Sequence, residues 1–166
     1  MELLLEQLKY NQWAVHQYIK TIGQLDLTQF KRSFNSSFSS IHETLGHMLW
    51  VEKLWYERWQ GHLVTQTFNP ADYPTLEFIN QNLKEIHAKQ IHLLESFEPA
   101  TENRHISYIN FQGKTWEYSF AQMVQHLMFH SAYHRGQLAT MLRQLGKVPP
   151  KTDYLVFIDE QSSAGV

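Results

Sequence analysis

The chain of 166 residues contains no cysteine. Disulfides and thiolate metal ligands are therefore excluded, and any catalytic thiol must arrive on a substrate or cosubstrate. The same absence makes a cytoplasmic location the expectation. Basic residues are few, 14 against 16 acidic ones, and they are scattered. Without a basic stripe to follow a phosphate backbone, nucleic acid is not expected as a partner. No apolar run approaches the length of a membrane span, so no membrane partner is expected either. Met1 to Glu6 reads as acidic and amphipathic, without the basic region of a secretory leader. No internal repeat interrupts the chain.

What is present is an ordinary globular composition, 43% hydrophobic and 18% charged. That length suits one domain with a single sizeable core, expected over residues 1–160, with 161–166 as a disordered tail. Four segments show apolar residues stepping by three and four, the inward stripe of an amphipathic helix. The first runs from about Glu2 to Gln24 with Leu4, Leu8, Asn11, Val15, Tyr18 and Ile22, and Asn11 is its polar exception. A Ser- and Asn-rich connector follows, Leu25 to Ser39, with a helical turn near Gln29 to Arg32.

The second helix opens at Ser40, where Ser40-Ile41-His42-Glu43 reads as a capping box, and stops before Gly61. One face carries Leu45, Leu49, Glu52 and Trp59; another carries His47, Trp50, Val51 and Leu54. A helix apolar on two sides is either central to a bundle or meets a second subunit, and the second possibility makes a homodimer the expectation.

After a loop from His62 to Tyr73, the third helix starts near Pro74 or Thr75 with the stripe Leu76, Ile79, Leu83, Ile86, Gln90, Leu93 and Phe97, and Glu98-Pro99 ends it. His87 and His92 fall off that stripe and are expected on the solvated surface. Arg104 to Phe111 then alternates, Gln112-Gly113-Lys114 turns, and Thr115 to Tyr118 returns, a small β-hairpin with His105 on its surface.

The fourth helix opens with a capping box, Ser119-Phe120-Ala121-Gln122, and ends at Gly146. Asp153 to Glu160 is expected as a short helix or strand packed on the domain. These elements predict an all-α protein, a four-helix bundle with a small β-hairpin between helices three and four. The linkers are long enough for a crossover, and the order of the helices around the bundle stays open.

The chemistry concentrates on the fourth helix, where His126, His130 and His134 stand at i, i+4 and i+8. Residues four apart stack on one face, so two imidazoles can point at one metal ion. His134 lies in the apolar stripe and His130 at its edge, which makes them the pair expected to face the core. The alternative is a pair of hydrogen-bonded core histidines. A metal needs a further ligand from another helix, and the helical wheel does not aim His47 at the pair.

His130-Ser131-Ala132-Tyr133-His134-Arg135-Gly136-Gln137 resembles the H-x-x-x-H-R-G-Q signature of the DinB family of metalloenzymes. Tyr10-Asn11-Gln12-Trp13-Ala14 is similar to that family's first-helix motif, and Ser40 to His47, followed by Glu52 and Trp55, to its second. The resemblance implies a four-helix bundle with His47, His130 and His134 as ligands of a divalent metal: zinc, nickel, iron or manganese. It implies a supporting or structural role for His126. Relatives that use small-molecule thiols imply a thiol-dependent S-transferase acting on a small molecule.

Three imidazoles leave a coordination position open, where a thiol can be deprotonated. A metal-dependent hydrolase is the alternative, with Glu52 as a weak candidate base. A non-catalytic metal-binding bundle is the third reading. Gln137 is placed to bond a ligand imidazole, Arg135 to pair with a carboxylate, and Gly136 to permit close helix packing.

Overall fold

The computed structural model describes residues 1–164. Its elements are α1 (Glu2–Ile22), α2 (Leu27–Lys31), α3 (Ile41–Trp59), α4 (Leu76–Glu95), β1 (His105–Ile109), β2 (Thr115–Ser119), α5 (Phe120–Gln144) and α6 (Tyr154–Ala164), with 3-10 turns at Pro70–Asp72 and Pro99–Asn103. The four long helices are those expected. No helix among the described residues is long and apolar enough to cross a membrane. The helix α6 continues past residue 161 to Ala164, which corrects the expected disorder over 161–164; residues 165–166 lie outside the described residues.

Helix ends follow local chemistry. Ser119 and Gln122 form the reciprocal capping box at the start of α5. At the start of α3 only half of the expected box forms. Ser40 Oγ accepts from the Glu43 N–H, while the Glu43 carboxylate turns back to the N–H and hydroxyl of Ser39. Gly61, Gly113 and Gly146 carry positive φ and make the stops and the hairpin turn. The hairpin pairs His105 with Ser119 through Ile109 with Thr115.

The helices do not follow one another around the bundle. α1 packs against α4 and α5, and α3 packs against the same two helices. Sequence neighbours α1 and α3 therefore sit diagonally, as do α4 and α5. Each diagonal step needs a long connection: α2 with its flanks serves the first, and the 3-10 turn with the hairpin serves the second. Both buried faces of α3 are used inside the chain, so its two-sided apolar pattern no longer calls for a second subunit.

The core has two apolar halves. One gathers Ile22, Ile41, Leu45, Ile79, Leu138 and Leu142; the other gathers Leu4, Leu8, Trp59, Leu94, Phe120 and Leu127. Between them lies a polar layer contributed by all four helices. Asn11 Nδ2 donates to Glu52 Oε1 at 2.8 Å, and Gln90 Nε2 donates to Glu52 Oε2 at 2.8 Å. Arg135 donates to Asn11 Oδ1 at 2.7 Å and to Ser131 Oγ at 2.9 Å, and reaches toward Tyr10.

Burial raises the pKa of Glu52, but His87, Gln90 and Asn11 outweigh it and hold the carboxyl below its ordinary value. His87 is only 4% exposed, against the expectation of a surface position, because its off-stripe angle turns it toward Glu52 rather than to solvent. His92 and His105 are exposed as expected.

Candidate metal centre

The seam between α3 and α5 brings together His47, His130 and His134, each offering one nitrogen, all within 4.8 Å of one another. His130 and His134 stack one turn apart on α5, and α3 supplies His47 from across the seam. The face of α3 that the helical wheel left unassigned is the one turned to α5. Nε2 of His130 lies 3.2 Å from Nε2 of His47 and 3.1 Å from Nε2 of His134. Nitrogens bound to one zinc-like ion at about 2.0–2.1 Å with tetrahedral angles stand about 3.3–3.4 Å apart. These two spacings are close to that, and the third pair lies within 4.8 Å.

Hydrogen bonding alone does not satisfy this cluster. A neutral ring nitrogen either carries one proton or presents one lone pair, so His130 Nε2 serves one neighbour and not both. Nδ1 of His47 and Nδ1 of His130 are buried without partners among the described residues. His134 is anchored differently: its Nδ1 lies 2.7 Å from Gln137 Oε1, and Gln137 Nε2 donates to Ser37 Oγ at 2.9 Å. The amide oxygen can only accept, so the His134 proton sits on Nδ1 and the Nε2 lone pair faces the other two rings. This is the role expected of Gln137. A single cation drawn into the three nitrogens fits the donor set.

Burial, then the neighbouring imidazoles, pushes His47 down to about 3 and His130 to about 4. Burial also lowers His134. The rings are neutral near pH 7, with lone pairs free for a cation.

A pH dependence follows. On unfolding, His47 and His130 return to about their ordinary value of 6.5, so below that pH unfolding takes up protons. Their contribution to stability is complete above pH 6.5 and falls away toward pH 4 and below. Thermal melts of chelator-treated protein between pH 7 and pH 4 are expected to show Tm falling through this window, with a shallower slope in His47→Ala.

Aromatic rings wall the cluster. Phe38 stacks on His47 at 4.2 Å between centroids and lies 5.7 Å from His134, and Phe68 meets His47 edge-on at 5.4 Å. Sequence reasoning missed both. Each is a lone aromatic in a polar loop, Ser36-Ser37-Phe38-Ser39 and Gln66-Thr67-Phe68-Asn69, and that isolation was the available signal. Trp50 continues the wall toward Phe111 on the hairpin turn, with centroids 5.7 Å apart.

His126 takes the supporting place expected of it, and three other expected roles change. His126 stacks behind His130 at 6.3 Å and packs on Trp55, outside the nitrogen cluster. Glu52 is 1% exposed and engaged in the polar layer, so it does not stand free as a base. Arg135 donates to neutral oxygens instead of pairing with a carboxylate. Gly136 faces open space, with nothing within 4 Å of an added Cβ, so it serves no close packing.

Fold and cluster together define a crossover four-helix bundle with a histidine centre in one seam. The chain belongs to the DinB family, whose model matches residues 1–164. It is 23% identical over 155 residues to Protein DinB of Bacillus subtilis (strain 168), covering 90% of each chain. Its fold is similar to that of a DinB-like protein from Bacillus cereus ATCC 10987, with TM-score 0.68, 15% identity and coverage of 91% and 96% of the two chains. It is also similar to YfiT from Bacillus subtilis, with TM-score 0.72, 11% identity and coverage of 89% and 90%. YfiT is described as "a probable metal-dependent hydrolase with an unusual four-helix bundle topology".

Proposed function

We propose that this protein is a divalent-metal-dependent enzyme whose ion is held by His47, His130 and His134. The carrying observation is the convergence of three imidazole nitrogens around His130 Nε2, which can hydrogen-bond one of its two neighbours and not both. An ion held by three neutral imidazoles keeps an open position and supplies Lewis acidity, lowering the pKa of a thiol or water placed there. Zinc, nickel, iron and manganese all suit imidazole ligands. Gln137 fixes the His134 tautomer, and Phe38 and Phe68 exclude water from one side.

The reaction we favour is transfer of a low-molecular-weight thiol to a small electrophile: the thiol gives up its proton, its sulfur bonds the electrophilic carbon, and the electrophile's leaving group departs. The chain has no thiol of its own, and Glu52 is locked in the core rather than free to take a proton from water. Metal-dependent hydrolysis is the second reading, favoured by the description of YfiT.

The test incubates metal-loaded protein with a panel of thiols and alkylating or acyl electrophiles. Thiol consumption above the chelated control is the expected result. Electrophile turnover that is unchanged without thiol would assign hydrolysis instead, and neither activity together with no thiol binding would remove support for an enzyme.

A further inference from the structure

A second site lies on the opposite side of the bundle. The histidine cluster occupies the α3/α5 seam; the diagonally opposite α1/α4 seam opens into a pocket of about 570 Å³. Lys9 and His16 from α1 and Lys84 and His87 from α4 line it, and among the described residues no acidic side chain does. Trp13 and Phe157 supply aromatic walls. The two lysines are exposed, and His87 is buried. One carboxylate stands beside the pocket, Glu160, which accepts from the Trp13 indole N–H at 2.8 Å, and burial, then Lys20 and Lys84, holds His16 below its ordinary value.

The floor is built with some care. Nε2 of His87 is sealed from solvent and faces Glu52 Oε1 at 3.6 Å. Glu52 is held as a carboxylate by Asn11 and Gln90, so it draws the imidazole proton to Nε2. Nδ1 is then an acceptor, and the ring lines the pocket. The pocket thus offers cations at its mouth, aromatic surface along its sides and one oriented acceptor at its floor.

We propose that the α1/α4 pocket binds a small aromatic hydroxy-carboxylate. Its carboxylate meets Lys9 and Lys84, its ring packs against the wall formed by the Trp13–Phe157 pair, and its hydroxyl donates to His87 Nδ1. The site is independent of the histidine cluster.

The probe is 6-hydroxy-2-naphthoate, titrated calorimetrically into the full chain, with the Trp13 indole N–H followed by NMR. One-site binding that shifts the Trp13 signal is expected. Loss of the ligand hydroxyl, tested with 2-naphthoate, is expected to weaken binding about tenfold. The Lys9→Glu/Lys84→Glu double variant, changed only at exposed positions, is expected to weaken it by more than about tenfold. His134→Ala is expected to bind as the parent does.

No saturation at about 1 mM would overturn the proposal. So would equal affinity in the lysine variant, equal affinity for 2-naphthoate, or loss of binding in His134→Ala, which would place the ligand at the histidine cluster.

Discussion

Metal-stripped protein reloaded with zinc is expected to take up one ion per chain, and His47→Ala and His134→Ala are each expected to bind it roughly a hundredfold or more weakly. The size follows from sharing a binding free energy of about 10–16 kcal/mol among four coordination positions, close to 3 kcal/mol each. Gln137→Ala keeps all three ligands but frees the His134 tautomer, and an outer hydrogen-bond partner of this kind is worth about 10–100-fold in affinity.

Stability carries the same signal. Ion at about a thousand times its Kd adds about 4 kcal/mol, or roughly 10 °C of Tm for a domain of this size. The rise should be large in the parent and absent in both histidine variants. Elemental analysis and melts with and without chelator check this. Stoichiometric metal in both variants would remove His47 and His134 from the centre, and no uptake by the parent would return all three to ordinary core histidines.

Arg135→Ala is expected to cost about 3–5 kcal/mol, the usual penalty for breaking a buried charged network by removing one partner. For a chain of this length that lowers Tm by about 10 °C. The guanidinium is 4% exposed, and its loss leaves Asn11 Oδ1 and Ser131 Oγ without their donor. The Glu52 carboxylate in turn favours the charged form of Arg135.

The double variant Arg135→Met/Glu52→Met is expected to be less destabilised than the two single variants summed. Replacing the whole charged set with apolar side chains removes the desolvation cost along with the attraction. Chemical denaturation of the three proteins checks it. Strict additivity would mean that Asn11 does not couple the two charges.

Much of this was legible in the sequence, for identifiable reasons. The three-and-four stepping of apolar residues found all four long helices, because burial of one face leaves that mark whatever the partner is. The capping residues Ser40, Thr75 and Ser119 each accept from a first-turn N–H, so the starts were fixed by local chemistry. His130 and His134 were readable as a pair because helical periodicity alone sets their relation.

His47 was not readable this way, since its aim depends on which helices neighbour α3, and that is a property of the diagonal connections. The same limit hid His87: an off-stripe angle means solvent only when no neighbour stands there. Phe38 and Phe68 lie in loops, where no period exists to read.

The polar layer was visible only as anomalies, Asn11, Glu52, Gln90 and Ser131 sitting in otherwise apolar stripes. Their common height along the bundle has a consequence for how the chain finds its fold. Apolar stripes tolerate sliding, since one leucine replaces another, but a slip of one turn moves a helix about 5.4 Å and pushes its polar residue into an apolar half. Asn11 also joins diagonal helices by bonding Glu52, and so rewards the arrangement in which α1 and α3 face each other across the centre. The layer therefore works as an index mark, aligning four otherwise slippery rods and telling this crossover arrangement apart from the simpler one in which each helix packs beside the next.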